Sequence, residues 1–204
     1  EKRLRAALEI RKQAFGESSR EVADTLSLLA EVLGHKGEYV QGEGLIREAL
    51  AIRQALYGQA HPDIARSIED LGMNFFARGE YQVALSHLRD AAAMQRQLHP
   101  GAHPDLARAT DNLAFALTEL GKLDEAEPLS RLALAMKRQL YGDTHPSTAI
   151  GLNNLAYILE GRGQLEAAGR AYRESLAINR TLLGGGHPTL ALTMSNIAFV
   201  EYPP

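Results

Sequence analysis

A period of 42 residues limits the fold more than any other feature of this chain. His-Pro stands at 61–62, 103–104, 145–146 and 187–188, and the slot one period earlier holds Ser19-Arg20. At fixed offsets beyond these pairs come Ala23, Ala65, Ala107, Ala149 and Ala191, then Leu29, Leu71, Leu113, Leu155 and Ile197. Each of the latter precedes a small residue: Ala30, Gly72, Ala114, Ala156 and Ala198. Gly37, Gly79, Gly121 and Gly163 follow, and Arg47, Arg89, Arg131 and Arg173 mark the second half of each unit. A repeat of this size is one supersecondary unit that cannot bury its apolar face alone, so its neighbours must cover it. The expected result is a solenoid.

Composition narrows the partners. A net charge of −3 offers no basic stripe of the kind nucleic acid requires, so no nucleic-acid partner is expected. The chain has no cysteine, which excludes a disulfide framework and a thiolate zinc site. That fits a reducing compartment, and a cytoplasmic protein is expected. No apolar run approaches the ~20 residues that span a bilayer, so no membrane partner is expected. The chain starts at Glu1 rather than Met, which leads us to expect a piece of a longer protein.

Each unit reads as two helices. In the third, helix A runs over 103–120 and helix B from there to about Leu140. Proline suits the first helical position, where its missing N–H costs nothing, with His as the preceding cap. The glycines at 37, 79, 121 and 163 suit a left-handed residue ending helix A. Tyr57-Gly58, Tyr141-Gly142 and Leu183-Gly184 end helix B similarly, and Tyr202-Pro203-Pro204 stops the last helix. Gly42 and Gly44 should weaken the helix around them. Leu106, Leu113, Leu117 and Leu120 form the apolar stripe of one helix A. Ala126, Leu129, Ala133, Leu134 and Leu140 do the same on helix B. Residues 1–14 align with the second half of a unit and 187–202 with a first half. The expectation is therefore about ten helices in a single array over 1–204. Its units are 1–18 (second helix only), 19–60, 61–102, 103–144, 145–186 and 187–204 (first helix only).

At these residues the sequence resembles the tetratricopeptide repeat, in the longer, 42-residue form seen in kinesin light chains. The resemblance is carried by His103-Pro104, Asn112-Leu113-Ala114, Gly121-Lys122-Leu123-Asp124-Glu125-Ala126-Glu127 and Leu140-Tyr141-Gly142. It is carried again by Leu152-Asn153-Asn154-Leu155-Ala156-Tyr157, Gly163, Ala167 and Ala168. The resemblance implies an all-α, right-handed superhelix of antiparallel helix pairs, whose A helices line a concave groove that binds peptides. It implies no enzyme activity and no cofactor.

The face of helix A opposite its apolar stripe can be read by offsets of three, four and seven residues. It carries Asp24, Arg66, Arg108, Ile150 and Leu192, then Ser27, Glu69, Asp111, Asn153 and Ser195. Leu28, Asp70, Asn112, Asn154 and Asn196 follow, and then Glu31, Met73, Phe115, Tyr157 and Phe199. In one reading this is a peptide groove, with an amide ladder at Asn112, Asn154 and Asn196 matching a peptide backbone. Arg66 and Arg108 would then hold a carboxylate. In the other, the asparagines bond between neighbouring A helices and the arginines pair with Glu69, Asp70 and Asp111. Phe115, Tyr157 and Phe199, with Ile150 and Leu192, are either anchors for a partner or packing against the next A helix.

Other patterns carry no chemistry. His61, His103, His145 and His187 are one repeat apart, roughly 8–10 Å or more, too far for one metal ion, so they read as helix caps. The arginine ladder on helix B has Glu1, Glu43 and Glu127 four residues ahead of Arg5, Arg47 and Arg131, the spacing of surface ion pairs. Gly184-Gly185-Gly186 is not a phosphate loop, for it lacks a preceding strand and a GK[ST]. Asn179-Arg180-Thr181 sits mid-helix and is a chance sequon. No catalytic constellation can be argued, and an enzyme is not expected.

The expected function is a protein-interaction scaffold holding an extended or helical peptide of a partner protein. The acidic first half of the stripe suits basic residues at one end of that peptide, and the neutral second half suits an apolar side chain at the other. The alternative is a regulatory or sensor arm of a larger multidomain signalling enzyme. The half-repeats at the ends should leave Leu4, Leu8 and Ile10, and Leu190, Met194 and Ile197, uncovered. Weak head-to-tail self-association through those faces is expected.

Overall fold

In a computed structural model, residues 1–184 and 187–201 are described, without the side chains of Pro188 and Thr189. Gly185, Gly186 and the Tyr202-Pro203-Pro204 stop lie outside the described residues. Among those described there are ten helices and no strands. They are α1 (Lys2–Phe15), α2 (Arg20–His35), α3 (Tyr39–Tyr57), α4 (Pro62–Ala77) and α5 (Tyr81–Leu98). The second set is α6 (Pro104–Glu119), α7 (Leu123–Tyr141), α8 (Pro146–Gly161), α9 (Leu165–Leu183) and α10 (Pro188–Glu201). They gather into two compact units, Glu1–Pro100 and Gly101–Pro204. Within each, every helix packs on the next in sequence, and in the second unit α6 also touches α8. The fold is an α-solenoid of helix pairs.

Local chemistry places the helix ends. The imidazole Nδ1 of His61, His103 and His145 accepts the backbone N–H two residues on, at 3.1, 3.2 and 3.1 Å. Ser19 does the same work for α2, its Oγ accepting Val22 N–H at 3.4 Å. Histidine adds something that serine cannot. Its ring stacks on the tyrosine ending the preceding helix, with centroids 3.8 Å apart for Tyr57–His61 and 4.6 Å for Tyr141–His145. The A helices end in a left-handed glycine, as at Gly121 (φ 69°), and the N–H of Lys122 returns to the carbonyl of Leu117 at 2.9 Å. That six-to-one bond is the Schellman closure. The B helices stop differently: Gly142 has φ 84° and ψ 174°, a region open almost only to glycine. Gly42 and Gly44 do not interrupt α3, which runs unbroken. At Gly42 the lack of a Cβ serves close packing, since one would lie 3.3 Å from Asn74 Nδ2 and 3.4 Å from the Ala30 carbonyl oxygen.

The core lies between A and B helices, as in the cluster of Leu134, Leu152, Leu155, Leu159, Ala168 and Tyr172. Around it runs a repeated charged clasp. Arg5, Arg47 and Arg131 each pair with a glutamate four residues earlier, at 3.0, 2.8 and 2.7 Å. The same Glu1, Glu43 and Glu127 also bind Lys36, Arg78 and Arg162, at the end of the following helix A, at 2.6, 2.6 and 2.8 Å. One carboxylate thus ties helix B to the next repeat. Hydrogen bonding from Arg47 and the nearby Arg78 guanidinium hold the Glu43 carboxyl below the usual range, although burial opposes them. A depressed carboxyl contributes stability above its unfolded pKa and loses it as pH falls through the folded one. Urea midpoints should therefore drop below about pH 4.5, and drop less in Glu43→Gln. Equal drops in both proteins would show that the clasp adds nothing.

The ends correct one expectation. Leu8 and Leu190 are buried, not uncovered. Leu8 joins Val22, Ala23 and Leu26 of α2. Leu190 is enclosed like Val22, Ile64 and Leu106 at the same register. The exposed members are Ile10 (65%) and Met194 (48%), with Leu4 and Ile197 half-buried.

Candidate functional site

The stripe opposite the core separates into surface and interior. In the first unit, Arg66 and Glu31 are exposed, Asp70 and Met73 half-buried, and Glu69 buried. Asp24 on α2 is approached from behind by Arg53 of α3. That guanidinium, 3% exposed, donates through Nη2 to Asp24 Oδ1 at 2.8 Å. Its Nη1 donates to Ser27 Oγ at 3.0 Å and to Ser67 Oγ at 2.6 Å, so one cation joins α2, α3 and α4.

In the second unit the same register of helix B holds Lys137. Its Nζ donates to Asp111 Oδ2 at 2.5 Å, and both side chains are under 10% exposed. The Nδ2 of Asn154 on α8 donates to the same oxygen at 2.8 Å. Asn154 is thereby a bond between neighbouring A helices, the structural alternative offered by the sequence. Removing a hydrogen bond to a buried charged group costs about 1.5–3 kcal/mol. Asn154→Ala should lower stability by about that amount in chemical denaturation, and an unchanged midpoint would show the bond to be idle. Asn196 also has a neighbour, lying beside the hydroxyl of Tyr172 in α9. That phenol donates to Glu160 Oε2 at 3.0 Å, and burial with the Glu160 charge pushes its pKa far up. Arg108 holds Asp105 at 3.1 Å, a local pair of its own helix. The three asparagines do not form one uniform ladder.

The remaining residues are exposed or half-buried. Phe115 and Tyr157 meet in a tilted arrangement with centroids 6.4 Å apart and an interplanar angle of 51°. The Tyr157 hydroxyl also reaches Glu119 Oε1 at 3.4 Å. That contact leaves Tyr157 43% exposed, and Ile150 is 56% exposed although α8 has an A helix on either side in the sequence of repeats. On α10, Leu192 and Phe199 are 69% and 51% exposed. Asn112, Asn153 and Asn196 are half-buried between these rows.

The sequence reading missed Arg53 and Lys137. A signal was present: Arg11, Arg53, Gln95, Lys137 and Asn179 recur at the 42-residue period inside the apolar stripe of helix B. The last four are buried. Arg11 shows the same habit, donating to Thr25 Oγ1 at 2.6 Å. The sequon asparagine is thus Asn179, buried within α9.

These features define an all-helical repeat protein whose A helices turn one face to the core and leave large apolar side chains of another exposed. The tetratricopeptide repeat profile matches residues 21–97, 105–181 and 147–202, and the chain belongs to that family. No curated protein matches. Among solved structures it is similar to BtubC (BKLC) of P. vanneervenii, with 23% identity and a TM-score of 0.82 over 97% of this chain and 78% of that one. A Podosopora anserina kinesin light chain protein of nearly identical TPR-like repeats gives 23% identity and a TM-score of 0.75, covering 87% and 84%. The Rap conjugation gene regulator of plasmid pLS20, solved with a Phr peptide, gives 16% and 0.68, covering 90% of this chain and 49% of that one. At these identities the likeness is one of fold. No described helix is long and apolar enough to cross a membrane.

Proposed function

We propose that this chain is a protein-interaction scaffold whose exposed A-helix face holds an extended or helical peptide segment of a partner protein. The observation that carries the reading is the outward presentation of Ile150, Tyr157, Leu192 and Phe199 beside side-chain amides. Large apolar side chains left in water on a rigid support are the usual mark of an interaction surface. A support that is already ordered lowers the cost of ordering on binding. The Rap regulator, similar in fold, was solved with a peptide bound, which is consistent with this use of the fold. Selection of a displayed peptide library on the 204-residue chain tests it. Enriched peptides should compete with one another and lose binding to a Tyr157→Ala variant that melts normally. Failure to enrich any sequence, or binding indifferent to changes on this face, sinks the proposal.

A second reading concerns the ends. Ala191, Met194, Ile197 and Ala198 occupy registers that are buried or nearly so in the four preceding A helices, where helix B covers them. Leu4, Ala7 and Ile10 of α1 occupy the matching registers of helix B. We propose a weak head-to-tail association in which α1 of one molecule covers α10 of another. Such a contact is heterologous and does not close. Sedimentation coefficients should rise with concentration in the parent and stay flat in Met194→Glu; flat behaviour in both refutes it.

A further inference from the structure

The partner-facing surface of α8 and α10 contains no charge. Its exposed residues are Ile150, Tyr157, Leu192 and Phe199, with Asn153, Asn154, Ser195 and Asn196 between them. The neighbouring carboxylate, Asp111, does not project its charge onto this surface. It is buried and matched from behind by the Lys137 ammonium at 2.5 Å, with Asn154 at 2.8 Å. Arg108 is matched by Asp105, and Glu119, which accepts the Tyr157 hydroxyl at 3.4 Å, belongs to α6 and lies outside the α8 and α10 rows. The acidic pull that the sequence suggests at the Asp111 level is therefore cancelled inside the protein. We infer that the peptide segment held by α8 and α10 is uncharged and carries bulky apolar side chains; this deepens the peptide-binding reading and rests on it.

The spacing supports an extended segment. Ile150 and Tyr157 are seven residues apart on one helix, about 10.5 Å, close to the advance of three to four residues of extended chain at about 3.3 Å each. Because an extended chain alternates its side chains between two faces, two apolar side chains with three residues between them share the face that meets the two rows. The amides between the rows match the main chain they flank, Asn153 through its Nδ2 because its carbonyl oxygen is buried. Asn154 contributes its carbonyl end, because its Nδ2 is engaged by Asp111.

The test takes peptides of about ten residues enriched on the 204-residue chain and measures their binding by fluorescence anisotropy. Expected is a central pair of large apolar residues without Lys, Arg, Asp or Glu between them. Affinity should stay within about twofold from about 0.05 to 0.5 M salt, across which surface charges become screened. Ile150→Glu and Leu192→Glu should each weaken binding at least about tenfold, the loss typical of an interface anchor. Leu132→Glu, at an exposed apolar site on α7 (39%), should not. Thermal melts of all three variants report folding. Enrichment of basic peptides with a steep salt dependence overturns this inference while leaving a peptide-binding role intact. Charge-free peptides unaffected by the glutamates at 150 and 192 also overturn it. An empty selection removes both.

Discussion

Lys137→Met is expected to destabilise the chain by about 3–5 kcal/mol, the cost of leaving a buried charge without its partner. Lys137 and Asp111 lie 2.5 Å apart with side chains only 9% and 8% exposed. Methionine fills the space of the lysine stem but leaves the Asp111 carboxylate with only the Asn154 amide. Replacing both partners, in Asp111→Asn with Lys137→Met, should restore more than half of the loss, because an unpaired charge costs more than an absent pair. Guanidinium unfolding of the four proteins in this cycle measures it. A single-variant loss under about 1 kcal/mol would mean that the pair behaves as an exposed one. The counterpart Arg53 faces a half-exposed Asp24, so its removal should cost less.

The second large effect is steric. Ala156 is fully buried in the cluster with Leu152, Leu155, Ala168 and Tyr172. Its register holds Ala30, Gly72 and Ala114 in the other repeats. At Gly72 an added Cβ would lie 2.8 Å from Leu88 Cγ. Ala156→Leu should therefore cost about 1–3 kcal/mol through overpacking. Thermal melts check it, and a melting temperature unchanged within error would show room that the close packing denies. Only small residues let the two helices approach here.

Much of this was readable in the residues, because helices, stops and caps are local. A proline behind a histidine, a glycine at a fixed distance and an apolar stripe at helical spacing need no knowledge of the rest of the chain. The stripe that faces outward was readable for the same reason. Depth was not. Asp111 looks like a groove carboxylate until Lys137, 26 residues later, is seen to reach it from behind. Leu8 and Leu190 failed for a related reason: an apolar stripe covers more than one neighbour, and a single helix does not reveal which part meets which. The histidine caps were expected, yet their stacking on Tyr57 and Tyr141 depends on where the preceding helix ends.

The exposed stripe of α10 bears on how such a chain changes length. Met194 and Ala198 stand uncovered at registers that each earlier A helix hides beneath its own B helix. Cover is supplied mainly by the adjoining helices, with one further reach from α8 to α6. Duplication or loss of a whole unit therefore leaves every remaining interface as it was, and lengthens or shortens the exposed A-helix face by one row. An insertion of a few residues does the opposite, moving a glycine stop or histidine cap away from the partner that gives it meaning. Growth is tolerated in whole repeats, and so the reach of the exposed face is a quantity that evolution can count.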